Sequence, residues 1–217
     1  MTPTPPLITT TAELQEFLAE CARSPYLALD TEFLRERTYY AKLCLIQVAT
    51  DDVAAAIDPL AKNIDLKPFL EFIADPKRIK VFHAAKQDLE IFYNLLGKVP
   101  APVFDTQIAA MALGMGEQIG YAPLIQKMFN INIDKGQQLT NWERRPLNDA
   151  QLAYAMDDVL HLRMAYKKIL RELQKKGRES WLNEENAKLH DPANIAPSIE
   201  DFWDEIRSRD RSPRTLT

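Results

Sequence analysis

Short apolar runs and longer amphipathic stretches alternate along the first half of the chain. The short runs are rich in Val, Ile, Leu and Ala and are bounded by polar or turn-forming residues, which is typical of buried strands. They predict strands at 26–30, 42–50, 53–58, 79–83 and 102–106. Only Asp51 and Asp52 separate the second run from the third, so we expect those two strands to pair through a tight turn.

Apolar residues at helical spacing predict helices over 11–22, 66–74 and 86–96, and a much longer helix over about 148–176. Asn148 is the predicted N-cap of the long helix, and Gly177 is its predicted end. Strands that alternate with helices, together with one adjacent strand pair, indicate an α/β domain with a mixed sheet.

The two ends of the chain differ from this pattern. Residues 1–10 are rich in Thr and Pro and have no basic cluster or apolar stretch, which predicts a flexible tail rather than a signal peptide. Residues 177–217 are charged and interrupted by prolines, which predicts a C-terminal helical extension leading into a linker. The folded domain is therefore expected over 11–176.

Composition narrows the class of protein. The 217 residues are 46% hydrophobic, which is enough for one sizeable core. A net charge of −4 argues against a protein that coats long nucleic acid, but it leaves room for an enzyme that holds a few terminal nucleotides through cations. Two cysteines without a C-x-x-C pair predict neither a disulfide framework nor a zinc site, and favour the cytoplasm. No apolar run approaches the roughly 18 residues of a membrane span.

Acidic residues close the first predicted strand. Asp30 and Glu32 lie two apart, so the strand places both on one face at its C-terminal edge, where α/β sheets bind ligands. Alone, the pattern is weak, since about one D-x-E is expected by chance in this composition. The second copy, Asp88 and Glu90, lies in a predicted helix. Residues two apart there diverge by roughly 200°, so Glu90 should point away from whatever Asp88 faces.

Tyr154 and Asp158 lie four apart on the long predicted helix and share one stripe of it. An isolated pair of this kind is usually an ordinary surface feature. Together with Asp30 and Asp88, however, it adds another carboxylate next to strongly apolar sequence, which is costly unless the charge is paired or bound to metal. Hard oxygen ligands suit Mg²⁺ or Mn²⁺. Neutralisation by basic side chains remains the alternative at this point.

Several motifs resemble those of the DEDD exonucleases and, within them, ribonuclease D. "LALDTEF" resembles the first exonuclease motif, "VFHAAKQDLEIF" the second and "YAMDDVLHL" the third. "FDTQIAA" and "KGQQLTNWERRPLNDAQLAYA" resemble the family's segments between the second and third motifs. The match covers about 26–175 in the family's order. It implies a ribonuclease H-like exonuclease fold over 11–176, an α/β fold with a five-stranded mixed sheet flanked by helices.

The resemblance also implies roles for particular residues. The metal ligands would be Asp30, Glu32, Asp88 and Asp158, holding two divalent cations, Mg²⁺ or Mn²⁺, roughly 3.5–4 Å apart. Position 154 is Tyr and position 153 is Ala, which resembles the family branch in which a tyrosine handles the attacking water. Asp157 lies only three residues from Tyr154 and does not fit the ligand position. Substrate contacts are implied at Phe33, Lys135 and Gln138.

Other residues of these motifs are expected to be structural. His83, Trp142, Arg145 and Pro146 would support the fold, and His161 would be an ordinary helix residue.

The function that the resemblance implies is a 3′→5′ exoribonuclease. It would act on single-stranded RNA 3′ ends and release 5′-mononucleotides in RNA processing or degradation. A DNA 3′-exonuclease or an oligonucleotide-degrading nuclease with the same site is the alternative. A binding module with a decayed site is a further possibility, but all four acids and the tyrosine are present. The oligomeric state is not predicted.

Overall fold

A six-stranded mixed sheet forms the centre of the computed structural model, which describes residues 6–35, 40–134 and 136–195. The strand order is β1-β4-β3-β2-β5-β6. The strands β2, β3 and β4 are antiparallel neighbours, and the β1–β4, β2–β5 and β5–β6 pairs are parallel. Their bounds are β1 Leu7–Ile8, β2 Tyr26–Leu34, β3 Lys42–Ala49, β4 Ala54–Ile57, β5 Ile79–Phe82 and β6 Val103–Asp105. The predicted mixed α/β fold is confirmed.

The expected count of five strands is wrong by one, because β1 adds a strand at the edge of the sheet. Leu7 pairs with Ala56, Ile8 pairs with Ile57, and the Ile8 side chain is buried. This pairing satisfies backbone groups along the outer edge of β4. The prediction of a flexible tail over 1–10 therefore does not hold for these two residues.

Helices cover both faces of the sheet. Their bounds are α1 Thr11–Cys21, α2 Lys67–Ile73, α3 Lys86–Leu96, α4 Thr106–Ala112, α5 Tyr121–Phe129, α6 Asp149–Lys176, α7 Leu182–His190 and α8 Pro192–Ile195, with a 3₁₀ turn at Glu179–Trp181. The caps predicted for the long helix are confirmed: the Asn148 side chain accepts the Gln151 N–H, and Gly177 adopts a left-handed φ of 63°. None of the helices described here is long and apolar enough to cross a membrane.

The strand β2 separates two hydrophobic cores. Tyr26 and Ala28 pack into the core formed with α4, α5 and α6, whereas Leu27 and Leu29 pack into the core formed with α1, α2 and α3. This alternation continues along the strand, so Asp30 and Glu32 follow on the side of α6. The two cores thus determine which face of the sheet carries the acidic residues.

The loop that leads into α6 is anchored by Arg145. Its guanidinium donates to both carboxylate oxygens of Asp58 at 2.7 Å, and to the backbone oxygens of Cys44 and Trp142, also at 2.7 Å. Trp142 is only 2% exposed, and its ring centroid lies 6.1 Å from that of Tyr154. The structural roles predicted for Trp142 and Arg145 are confirmed.

Replacing Asp58 with asparagine should lower the free energy of unfolding by about 3 kcal/mol, because the largely buried guanidinium of Arg145 loses its counter-charge. Urea denaturation would measure the loss. Glu71→Gln is the matched control, since the Lys67–Glu71 pair is 3.9 Å long and mostly exposed. Equal stability of the two variants would contradict the anchoring role.

Candidate active site

Carboxylates from two elements meet at the C-terminal half of β2. Asp30 and Glu32 come from this strand and Asp158 comes from α6, and each offers a ligand oxygen within 4.8 Å of the others. The strand's alternation turns Asp30 and Glu32 toward α6, and the helix places Asp158 opposite them. The structure therefore brings together three of the four carboxylates that the sequence predicted to lie close to one another.

Asp88 lies beside this group rather than in it. It is buried in the first turn of α3, and its Oδ1 accepts a 2.5 Å hydrogen bond from the Thr31 hydroxyl. Thr31 lies between Asp30 and Glu32 in β2, so this bond connects α3 to the acidic strand. Burial is the main cause of the raised pKa values of Asp30 and Glu32, and the charge of Asp88 raises both further.

Glu90 has a different environment from Asp88. Its carboxylate forms an ion pair with Arg35, just beyond the end of β2. The prediction that these two acids of α3 face different surroundings is confirmed. Glu90 forms an ion pair, whereas Asp88 accepts a hydrogen bond from a neutral hydroxyl.

Burial and mutual repulsion act together on the acidic group. The pKa of Glu32 is raised to about 9, first by burial and then by the charges of Asp158 and Asp88. Burial likewise raises the pKa values of Asp30, Asp88 and Asp158. Among the residues that the structure describes, no lysine, arginine or histidine forms a salt bridge with any of these four acids. Neutralisation by basic side chains, the alternative left open by the sequence, is not observed there.

These pKa shifts predict how the stability of the metal-free protein depends on pH. A carboxyl group whose pKa is higher in the folded state binds more protons when folded, so stability falls as pH rises through the interval between the two pKa values. For Glu32 this interval runs from 4.5 to about 9.

Glu32→Gln should therefore unfold at a higher temperature than the parent protein at pH 9 in EDTA, with little difference at pH 5. Thermal denaturation monitored by circular dichroism at both pH values would measure this. Identical unfolding temperatures at pH 9 would show that the Glu32 carboxylate is not destabilising.

The acidic group opens into a cavity of about 420 Å³. This volume lies within the range of small-molecule sites. Acidic, aromatic, amide and aliphatic residues line its wall: Asp30, His83, Gly120, Tyr121, Ala122, Pro123, Ile133, Gln138, Tyr154, Asp158 and Leu162. The cavity thus places space for a ligand directly beside two of the clustered carboxylates.

Tyr154 lies on the cavity wall together with Asp158, one helical turn away on α6. Its pKa is raised by burial and by the charges of Asp158 and Glu32, so the hydroxyl is neutral at physiological pH. Asp157 is exposed and lines a different cavity, which Tyr154 also borders. Asp158, which the spacing from Tyr154 favours, therefore lies in the acidic group, and Asp157 does not.

The residues predicted to touch substrate have different positions. Gln138 lines the cavity. Phe33 is half-buried where the register between β2 and β3 shifts, and it is not among the residues that line the described cavity. Lys135 lies outside the described residues. Substrate contact by these side chains remains a prediction.

His83 contributes to the same wall while supporting its neighbours. Its Nδ1 lies 3.0 Å from the Thr106 hydroxyl, and its ring packs against Tyr121 with centroids 5.3 Å apart. Burial lowers its pKa. The position is consistent with the structural role expected from the sequence.

Two supporting residues were missed by the sequence reasoning. Tyr121 donates its hydroxyl hydrogen to the backbone oxygen of Asp158. Asp105 accepts the backbone N–H groups of Ala84 at 3.0 Å and Ala85 at 2.8 Å, which holds the bend before α3, where Ala84 has a φ of 55°. An aspartate at the end of a strand was the available signal for Asp105, whereas no local pattern marks Tyr121.

The six-stranded mixed sheet between two layers of helices is a ribonuclease H-like exonuclease fold, and it brings carboxylates from β2 and α6 to one cavity. A family model described as 3′-5′ exonuclease matches residues 5–174. The chain belongs to this 3′-5′ exonuclease family.

Curated relatives and solved structures agree with this assignment. The chain is 49% identical to ribonuclease D of Sphingobium indicum over 97% of its length, and 46% identical to ribonuclease D of Gluconacetobacter diazotrophicus over 99%. It covers 55% and 54% of those proteins, and so spans about half their length. The crystal structure of Escherichia coli RNase D, described as an exoribonuclease involved in structured RNA processing, has a TM-score of 0.85 at 34% identity. That match covers 93% of this chain and 54% of the other.

Proposed function

We propose that this chain is a metal-dependent 3′→5′ exoribonuclease that releases 5′-mononucleotides from RNA 3′ ends. The observation that carries the proposal is the group formed by Asp30, Glu32 and Asp158, which lies beside a cavity and has no basic partner among the described residues. Membership of the 3′-5′ exonuclease family supports the direction of cleavage.

The donor set fits divalent cations. The three clustered groups are all carboxylates, whose hard oxygens suit Mg²⁺ and Mn²⁺. Their raised pKa values mean that the charged forms are costly without a cation. We assign the cation site to Asp30, Glu32 and Asp158, with Asp88 as a further ligand, and expect two ions. Bound cations would stabilise charge on the scissile phosphate and lower the pKa of the attacking water.

Tyr154 orients the attacking water in this proposal. Because burial and the neighbouring charges raise its pKa, the phenol remains protonated and is unsuited to act as a base. Its hydroxyl can instead hold a water molecule by hydrogen bonding, while its ring packs near that of Trp142. The remaining cavity wall, including Gln138, would hold the terminal nucleotide.

We propose an exonuclease domain over 11–176, to whose sheet β1 adds Leu7 and Ile8, and a C-terminal extension over 177–217, of which Leu182 and Ile195 pack into the two cores. RNA as the substrate is supported by the ribonuclease D relatives and by the description of the Escherichia coli protein. Single-stranded 3′ ends are the form that would fit a cavity of about 420 Å³.

The proposal can be tested with 5′-labelled substrates of matched sequence. Single-stranded RNA, single-stranded DNA, a ribodinucleotide and a tRNA with a 3′ tail would be incubated separately with Mg²⁺ or Mn²⁺, with Asp158→Asn as the inactive control. We expect single-stranded RNA to shorten one nucleotide at a time and to react faster than DNA. Faster cleavage of DNA, activity confined to the dinucleotide, or internal cutting would each contradict the proposal.

A further inference from the structure

Gln47 occupies an unusual position for an amide side chain. It lies in the middle of β3 and is completely buried, between Ile46 and Val48, which are buried as well. Its backbone pairs directly with Asp30 of β2 on one side and with Ala56 of β4 on the other. The amide is therefore placed in the interior next to the strand that carries the acidic group.

Neither polar atom of this amide has a hydrogen-bond partner in the described part of the chain. A buried amide without partners lowers stability, whereas an apolar side chain of similar volume at the same place does not. Gln47 can donate two hydrogen bonds and accept two, so its bonding capacity is unused within this structure. Packing alone does not account for a glutamine here.

The strand register brings this amide to Asp30. Directly opposed residues of an antiparallel pair project from the same face, with Cβ atoms about 4.5–5.5 Å apart. Ile46 and Val48 belong to the core on the side of α1, α2 and α3, so Gln47 projects to the other face, toward α6. The Asp30 carboxylate lies on that face with Asp158, within reach of a glutamine side chain.

Asp30 has a reason to require such a donor. Its ligand oxygen lies within 4.8 Å of those of Glu32 and Asp158, and among the described residues no basic side chain forms a salt bridge with it. Groups that ligate a metal are commonly held in orientation by hydrogen bonds from residues behind them. A carboxylate oxygen turned toward β3 would meet the Gln47 amide.

We propose that Gln47 is a positioning residue for the cation site, donating from Nε2 to the Asp30 carboxylate and fixing its orientation when a cation is bound. The inference rests on the proposed cation site. It implies that the fold tolerates an unpartnered amide in the metal-free state because the amide contributes to metal binding.

Gln47→Met tests this with two readouts that should move in different directions. Calorimetric titration with Mn²⁺ alone should show a dissociation constant roughly ten- to a hundred-fold higher than that of the parent protein. Thermal unfolding in EDTA should occur at the same temperature or a higher one, because an unbranched apolar side chain replaces unpartnered polar atoms. A glutamine with only a structural role would not produce this combination.

Val48→Ala is the matched control, since Val48 is the next residue of β3 and packs into the opposite core. It should unfold at a lower temperature and bind Mn²⁺ with unchanged affinity. Asp30→Asn provides the second reference, because it should abolish Mn²⁺ binding.

Mn²⁺ affinity of Gln47→Met within twofold of the parent value would overturn the proposal, whatever the change in stability. If Gln47→Met does not fold, Gln47→Leu is titrated under the same criterion, and failure of both to fold would overturn the proposal by showing that the amide is needed for the fold itself. A parent protein that binds no Mn²⁺, or binds it as well as Asp30→Asn does, would instead refute the proposed function.

Discussion

Replacing either Asp30 or Asp158 with asparagine should lower the turnover number on single-stranded RNA by at least about a thousand-fold. Cations stabilise the transition state by several kcal/mol, and each 1.36 kcal/mol corresponds to about tenfold in rate. Asparagine keeps the shape of the side chain but removes the charge that holds the cation. Single-turnover assays after EDTA treatment and restoration of Mg²⁺ would measure the loss.

The loss should not come from unfolding. The four acids have raised pKa values because burial and neighbouring charges disfavour their ionised forms, so removing one charge should leave the metal-free fold as stable as before or more so. Asp157→Asn is the matched control, because Asp157 precedes Asp158 on α6 but is exposed and outside the acidic group. Full activity of Asp30→Asn and Asp158→Asn would remove the basis for the assigned site.

Tyr154→Phe should lower the turnover number by roughly a hundred-fold or more while leaving Mn²⁺ affinity nearly unchanged. The substitution removes the hydroxyl at the cavity wall and keeps the ring that packs near Trp142. Because the substitution leaves the Asp158 carboxylate in place, the cation site should persist. Quench-flow kinetics together with calorimetric titration would separate the chemical step from metal binding.

Tyr166→Phe is the control for this change. Tyr166 lies on the same helix, is buried, and packs against Tyr26 in the core rather than lining the cavity. It should retain near-parental turnover. A Tyr154→Phe variant that turns over within threefold of the parent enzyme would show that the hydroxyl does not orient the attacking water.

Sequence periodicity located the acidic strand and the long helix because both depend on local geometry. Alternation along β2 puts Asp30 and Glu32 on one face, and the spacing of four on α6 aligns Tyr154 with Asp158. The contact between these two elements is a tertiary one. It was predictable only because several motifs follow one another along the chain in the order of a known family.

Features that depend on contact between distant segments were not predictable in this way. Leu7 and Ile8 form a strand because the edge of β4 offers unpaired backbone groups, and two residues have no detectable periodicity. Tyr121 reaches the backbone of Asp158 only because α5 packs against α6. That the buried Gln47 amide has no hydrogen-bond partner among the described residues likewise follows only from the tertiary structure.

Anomalous diffraction from crystals of the protein grown with Mn²⁺ would test the cation site most directly. The account predicts Mn²⁺ peaks coordinated by Asp30, Glu32 and Asp158, and their loss in Asp30→Asn. Saturating Mn²⁺ with no anomalous peak at these carboxylates, or an arginine or lysine side chain occupying the space between them, would contradict it.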